Sequence, residues 1–332
     1  MILVVGSMNM DRIARLERVP AAGETVAIES LSLAPGGKGG NVAAAAARLG
    51  ASVAMVARVG NDADGEALRD ALRQSGVDVA LVGGTDDAGT GSAWIWVDRT
   101  GENRIGVYAG ANRTLTPAVL DALERGEASP FGRARLVAMN LEIPLATVGR
   151  AIALAHAHGA RVLLNLSPTG ALSPSALGPA DVLVVNGPEA AELLAAPAPD
   201  DLSAAGEAAR QLRAMGPGTA VVTVGAAGAA AADADTVLRA PGVPIEPVDT
   251  TGAGDAFLGA LAAGLDGGIG LERALNLATA AGAFTATRPG AQSAQPTAAE
   301  LSAFARARGL ALAGLTTRDG GGGDAAPRGR AG

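Results

Sequence analysis

Short runs rich in valine, isoleucine and leucine alternate along the chain with longer alanine- and leucine-rich segments of helical period. The runs Ile2–Val5, Ser52–Arg58, Leu136–Asn140, Arg161–Asn165, Val182–Asn186 and Ala220–Val224 predict strands. Near-continuous apolar runs of this length suit strands covered on both faces. Between them, Asn41–Leu49, Gly65–Gln74, Leu145–His156, Ala204–Met215 and Ala256–Leu265 predict helices. Thr116-Pro117 and Ser173-Pro174 each place a capping hydroxyl before a first-turn proline. The alternation predicts an α/β protein whose mostly parallel sheet carries helices on both faces. Ligands of such sheets bind beyond the carboxyl ends of the strands.

Two stretches break the rhythm. Met10–Ser32 has few helix signals, and Thr90–Tyr108 alternates like an antiparallel hairpin turning at Asp98-Arg99-Thr100-Gly101. Trp94 and Trp96 fall on one face of that strand by the period-two rule. The hairpin is either an edge that packs on its own domain or a small β lid that covers a site or pairs with a second subunit.

Composition narrows the class. Of 332 residues, 48% are hydrophobic and 18% charged, a folded rather than disordered balance. A net charge of −7 argues against a nucleic-acid partner, which needs a basic surface. Cysteine is absent, which excludes disulfides, thiol nucleophiles and cysteine metal sites. The apolar start meets Asp11 and Arg12 too soon for a signal peptide. The run Thr219–Ala232 is glycine-punctuated and shorter than the ~20 residues of a membrane span. No membrane partner and a cytoplasmic location are expected. The residues 315–332 are glycine-rich and of low complexity, and are expected to be a disordered tail after a domain spanning 1–314.

Chemistry concentrates at two glycine-rich turns. In Asp249-Thr250-Thr251-Gly252-Ala253-Gly254-Asp255, small residues let the backbone turn from a strand into a helix. Amides at such a mouth meet the positive end of the helix dipole and form an anion site. Asp255 beside it is placed to accept the proton of an alcohol as a phosphoryl group arrives. Taken alone, the same turn is equally a tight loop with a dipole-favoured acid. The second turn, Gly36-Gly37-Lys38-Gly39-Gly40-Asn41, lacks the Gly-Lys-Ser/Thr order of a Walker A loop. Its backbone and Asn41 suit a polyhydroxyl ligand; a helix cap with a solvated lysine explains it as well. Lys38 is the only lysine in the chain. Asn9, Asp11, Glu142, Asn186 and Glu189 follow predicted strand ends, where a shared cleft must lie. His156 and His158 sit at a helix end, where the dipole accounts for them without catalysis.

These residues resemble the ribokinase-like carbohydrate kinases, the PfkB family. Both glycine-rich runs match its signatures, as do Gly6-Ser7-Met8-Asn9-Met10-Asp11, Gly101-Glu102-Asn103-Arg104-Ile105, Ala109-Gly110-Ala111-Asn112 and Gly290-Ala291-Gln292. The resemblance runs in order over about residues 1–310. It implies a three-layer αβα fold with a β lid formed by about 10–32 and 90–108, and a homodimer joined through that lid. It implies transfer of the γ-phosphate of ATP to a sugar hydroxyl, a pentose such as D-ribose being favoured. Another sugar or a nucleoside is the nearest alternative, and a catalytically silent sugar sensor a more distant one.

By position, the resemblance makes Asp255 the base and Gly252, Ala253 and Gly254 the anion hole. Asn9, Asp11, Gly37, Lys38, Gly39, Gly40, Asn41 and Glu142, together with Asp255, match the sugar-binding set. Asn186, Thr279 and Thr223-Val224-Gly225-Ala226-Ala227-Gly228, with Gly254, match the ATP site. Glu189 bears on Mg2+, which accompanies ATP. Asp249 and Thr251, with backbone near Thr285, Arg288 and Gly290, match a K+ site. Two positions depart from the family: Ala294 follows Ser293 where a serine is common nearby, and Thr279 stands where Asn or His is frequent.

Overall fold

The computed structural model describes residues 1–169 and 180–312, so Ser173-Pro174 and the tail at 315–332 lie outside the described residues. The strands are β1 (Ile2–Val5), β2 (Asn9–Leu16), β3 (Ile28–Gly36), β4 (Val53–Gly60), β5 (Val82–Thr85), β6 (Gly91–Val97) and β7 (Asn103–Tyr108). They continue with β8 (Leu136–Met139), β9 (Arg161–Asn165), β10 (Val182–Asn186), β11 (Thr219–Thr223), β12 (Gly228–Ala232) and β13 (Val237–Pro241). The helices are α1 (Lys38–Arg48), α2 (Ala63–Gln74), α3 (Pro117–Glu124), α4 (Pro130–Arg133) and α5 (Leu145–Ala157). After these come α6 (Gly187–Leu194), α7 (Leu202–Ala214), α8 (Ala253–Asp266), α9 (Leu271–Ala286) and α10 (Ala298–Ala307).

Nine strands form one sheet in the order β13-β12-β11-β10-β9-β8-β1-β4-β5. All its pairings are parallel except β11–β12 and β12–β13. The period-two rule divides β1 between two cores: Ile2 and Val4 pack with α1, α2, α8, α9 and α10, while Leu3 and Val5 pack with α3, α4, α5 and α7. Strand order reverses direction between β1 and β8, the crevice where such sheets bind ligands.

The predicted strands are all present, with ends shifted by one or two residues. The antiparallel edge is an addition: β12 reads Gly-Ala-Ala-Ala-Ala, and alanine carries little strand preference. Its alanines are fully buried, so packing rather than propensity makes it a strand. Helices α1 and α8 start three residues earlier than periodicity suggests, at Lys38 and Ala253, because glycines that look like loop serve as their first turn. Gly37 at φ 82° and Gly252 at φ 73° are their caps, a left-handed backbone that favours glycine.

Both unrhythmic stretches join a second sheet, β3-β2-β6-β7, in which β6 and β7 form the expected hairpin. The strand from the first stretch runs on past Ser32 to Gly36 and leads directly into α1. Asn9, at the start of β2, links this sheet to the crevice.

Helices α1 and α8 approach unusually closely. A Cβ on Gly259 of α8 would stand 2.5 Å from Ala45 Cβ, 2.8 Å from the Val42 carbonyl and 2.9 Å from the Ala46 nitrogen. The backbone contact fixes how the first turns of the two helices face each other. Gly259→Ala is expected to cost about 1–3 kcal/mol by overpacking. Thermal unfolding against the parent protein measures it, and an unchanged midpoint would refute the close contact.

Candidate active site

The first turns of α1 and α8 bring the two glycine-rich runs together. Asn41 Nδ2 donates to Asp255 Oδ2 at 2.7 Å, and Gln292 Nε2 donates to Asn41 Oδ1 at 3.1 Å. Across the switch point, Ser7 Oγ donates to Glu142 Oε2 at 2.5 Å, and the same oxygen accepts the Lys38 amide at 3.1 Å. Gly39 N–H points to Ser7 Oγ at 3.4 Å and Gly40 N–H to the Ser7 carbonyl at 2.9 Å. The first amides of α1 are thus satisfied by protein groups, and Gly37 packs against Met8 and Asn9.

The first turn of α8 differs. Ala253 N–H donates to the Thr250 carbonyl at 3.2 Å, whereas among the described residues the amides of Gly252, Gly254 and Asp255 find no protein acceptor. Three donors therefore remain at the positive end of a 14-residue helix. Of the expected trio, Gly252 and Gly254 thus keep free amides, whereas that of Ala253 is engaged.

Asn9 is buried, and its Oδ1 accepts Asn112 Nδ2 at 2.7 Å. Asn112 is in turn oriented by the Met8 amide at 3.0 Å. Asn9, Asn112, Arg113 and Glu142 line a cavity of about 530 Å3. Burial pushes Asp11 up to about 7, helped by the charges of Glu142 and Asp255. Asp255 is also raised, first by burial and further by Glu142, against the opposing pull of Lys38 and the Asn41 hydrogen bond. Three carboxylates thus lie close enough to feel one another, with a single ammonium nearby.

On the other side of the α8 mouth lies a second cavity, of about 650 Å3. Asn186, Thr223, Val224, Gly225, Ala226, Gly228, Ala253, Gly254 and Thr279 all line it. Ala227 does not; its amide and carbonyl instead tie Val224 to Gly242. Val243 and Ile245 from a loop, Phe257 from α8 and Ala283 from α9 supply an apolar wall that sequence reasoning missed, since apolar residues carry no chemical signal of their own. The Thr279 hydroxyl is buried with no partner among the described residues.

Asn186 and Glu189 form a reciprocal capping box at α6: each side chain accepts the other's amide at 2.8 Å. Glu189 is buried there, with one carboxylate oxygen already engaged. Asp249 joins two loops, its Oδ1 accepting the Thr251 amide and its Oδ2 the Gly290 amide, both at 2.9 Å. Burial raises its carboxyl, but hydrogen bonds from Thr251 and Gly290 outweigh this and hold it below the usual range. The Thr285 carbonyl accepts the Arg288 amide at 3.1 Å, while the Arg288 side chain turns away to Glu300 at 2.9 Å. His156 and His158 lie outside both cavities and pair with Asp181 at 3.3 Å and Glu124 at 2.7 Å. These acids, besides the helix terminus, account for the two histidines.

Sequence reasoning also passed over Ser7, Gln292 and Gln295 as site residues. Ser7 and Gln292 stand inside motifs that matched the family, which was the available signal.

One cavity opens at the mouth of α8 and another lies beside Glu142, and comparison with known proteins decides the family. Residues 1–298 match the pfkB family carbohydrate kinases. The chain belongs to the PfkB family.

Among its PfkB relatives, the ribokinase of Bacillus subtilis is 36% identical over 301 residues, covering 90% of this chain and 97% of that protein. The deoxyribokinase of Salmonella typhi is 32% identical over 304 residues, covering 91% and 98%. The bifunctional ribokinase/ribose-5-phosphate isomerase A of Fructilactobacillus sanfranciscensis is 36% identical over 298 residues, 89% of this chain, which spans only 54% of that longer protein. The structure of Arabidopsis thaliana ribokinase complexed with ribose and ATP is similar with a TM-score of 0.83 at 27% identity, covering 91% and 97%. As a PfkB member the chain is a phosphotransferase acting on a hydroxyl group. No helix among the described residues is long and apolar enough to cross a membrane.

The crowding of carboxylates has a measurable cost. A carboxyl raised from 3.8 to about 7 binds its proton more tightly folded than unfolded, so ionising it destabilises the fold. The penalty is absent below pH ~4, grows between ~4 and ~7, and is complete above. Asp11→Asn should therefore melt higher than the parent at pH 8 by a few degrees, with the gain vanishing toward pH 4. Melting curves that differ equally at both pH values would contradict this.

Proposed function

We propose that the chain is a ribokinase, transferring the γ-phosphoryl group of ATP to the 5-hydroxyl of D-ribose with Asp255 as general base. The Asn41–Asp255 hydrogen bond carries the proposal, because it joins the carboxylate at the anion-binding helix mouth to the polar groups of the sugar side. Asn9, Asp11, Gly37, Lys38, Gly39, Gly40, Asn41 and Glu142 bind the sugar, and their many donors and acceptors suit a small free polyol. The cavity bounded by Thr223, Gly225, Gly228 and Thr279 receives the nucleotide, its apolar wall facing the base.

In the transfer, Asp255 takes the hydroxyl proton while the alcohol oxygen bonds to the γ-phosphorus and the bond to the β-phosphate oxygen breaks. The open amides of Gly252, Gly254 and Asp255 meet the charge that spreads over the phosphoryl oxygens. The raised carboxyl of Asp255 makes it a stronger base than an exposed aspartate.

Glu189 would lie near Mg2+ accompanying ATP, which would neutralise phosphate charge; a single carboxylate suits a cation held chiefly by phosphates. K+ suits the oxygen donors of Asp249, Thr251 and the main chain of Thr285, Arg288 and Gly290. The ionised Asp249, tied to both loops, supports that assignment, and charge there would order the turn that ends in Gly252.

The four-stranded sheet serves as the lid and, in a cytoplasmic homodimer, as the interface. Leu31 and Leu33 are each more than half exposed on one face of it and Ile105 and Val107 on the other, apolar surface that a second copy would cover. Trp94 is less free than the sequence suggests, since Arg12 stacks 5.4 Å over its ring.

The test is an ADP-release screen with ATP and magnesium over D-ribose, 2-deoxy-D-ribose, D-fructose and adenosine. D-Ribose should give the highest kcat/KM, about tenfold or more above the 2-deoxy sugar, whose missing hydroxyl leaves buried polar groups unpaired. A preference for another acceptor refutes ribose and leaves the kinase; no turnover with any sugar, despite sugar binding, would establish a sensor. Asp255→Ala should lower kcat by about 10²–10⁴-fold while calorimetry still detects ribose. Potassium should raise kcat, and a flat titration against sodium would remove the cation assignment.

A further inference from the structure

Asn41 can hold its amide in either of two orientations, and only one serves an ionised base. A carboxylate can only accept hydrogen bonds, so Asn41 must turn Nδ2 toward Asp255. Its Oδ1 then faces the opposite way and needs a donor. Gln292 Nε2 supplies it at 3.1 Å, from a side chain that is 7% exposed. Nearby, Gln295, fully buried, donates its Nε2 to the Asn41 carbonyl at 2.9 Å. One loop therefore grips both the side chain and the backbone of Asn41.

The same loop touches the rest of the site. Gly290 N–H binds Asp249, and Ala291 packs so tightly on Gly252 that a Cβ at the glycine would lie 2.9 Å from Ala291 Cα. A single segment thus contacts the Asp249 turn, the anion-binding glycine and the residue that orients the base.

We propose that Gln292 is a positioning residue that fixes the Asn41 amide, so that Asn41 donates to Asp255 and keeps the carboxylate ionised and ready to take the substrate proton. The chain of contacts is Gln292 to Asn41 to Asp255, and Gln292 itself lines neither cavity. Without its donor, Asn41 is free to turn its oxygen toward Asp255, and that orientation is compatible only with the protonated acid. The other charged groups facing Asp255 are Lys38 from α1, Glu142 beyond β8 and Asp11 from β2, and none of them is altered by changing Gln292.

As the catalytic consequence rests on the kinase assignment, the closing experiment reads Asp255 directly, without turnover. The protein is labelled with ¹³C at aspartate carboxyls, and Asp255 is assigned by its loss in Asp255→Asn. Its titration is then followed in the parent, in Gln292→Met and in Gln292→Glu. Gln292→Met removes the donor at similar volume and adds no charge, so any rise in the Asp255 pKa there must come through Asn41. A rise of about one unit, ~1.4 kcal/mol, is expected. Gln292→Glu, which can only accept when ionised, should raise it further. In an Asn41→Ala background, Gln292→Met should change nothing more, the non-additivity expected of residues acting in series.

If the kinase screen succeeds, Gln292→Met should lower kcat about tenfold or more, leave the KM for the sugar within about threefold, and move the acid limb of the pH profile upward. An unchanged Asp255 titration in both Gln292 variants, even with a lowered melting temperature, would overturn the positioning role. So would a shift that persists undiminished in the Asn41→Ala background. A silent kinase screen with the predicted titration would overturn the function and leave the positioning intact.

Discussion

Two helix mouths held close together by a backbone-to-backbone contact govern this site. Gly259 lets α8 lie against Val42, Ala45 and Ala46 of α1, so the first turns of both helices reach the crevice between β1 and β8. Both mouths are glycine-rich and both carry the positive end of a helix dipole, yet they meet different fates. At α1 the amides are taken by Glu142, Ser7 and Gly37. At α8 three amides stay open beside Asp255. The first mouth is closed by protein groups, and the second keeps free donors, which is why the proposed function places the anion there.

That arrangement concentrates negative charge. Asp11, Glu142 and Asp255 lie near one another with Lys38 as the nearby cation, and burial raises Asp11 and Asp255. A fold optimised for stability alone would not bring three carboxylates so close together; the proposed binding of hydroxyls and removal of a proton would account for them. Stability is given up locally for chemistry, and the large shared cores on either side of the sheet supply it back.

The hydrogen-bonded asparagines and glutamines give the site its directionality. Asn112 sets Asn9, and Gln292 sets Asn41. An amide side chain has two nearly isosteric faces of opposite polarity, so each needs a second group to choose which face it presents. Such supporting residues leave little trace in composition or periodicity. Ser7 and Gln292 stood inside family-like motifs without a role of their own, and only their partners in space reveal what they touch.

The sequence alone determined the alternation of strands and helices, the parallel sheet, the hairpin between Gly91 and Tyr108, and the two glycine-rich turns with Asp255 among them. These are local properties, written in periodicity of two or 3.6 and in residues that permit special backbone angles. Tertiary structure decided the rest. It made a strand of the alanines at Gly228–Ala232, drew the glycines of both turns into helices, and left the Asp255 amide open while occupying that of Ala253. It brought Gln292 to Asn41, 251 positions away in the chain. Contacts over such separations depend on how whole layers pack, and no local pattern of residue types encodes them.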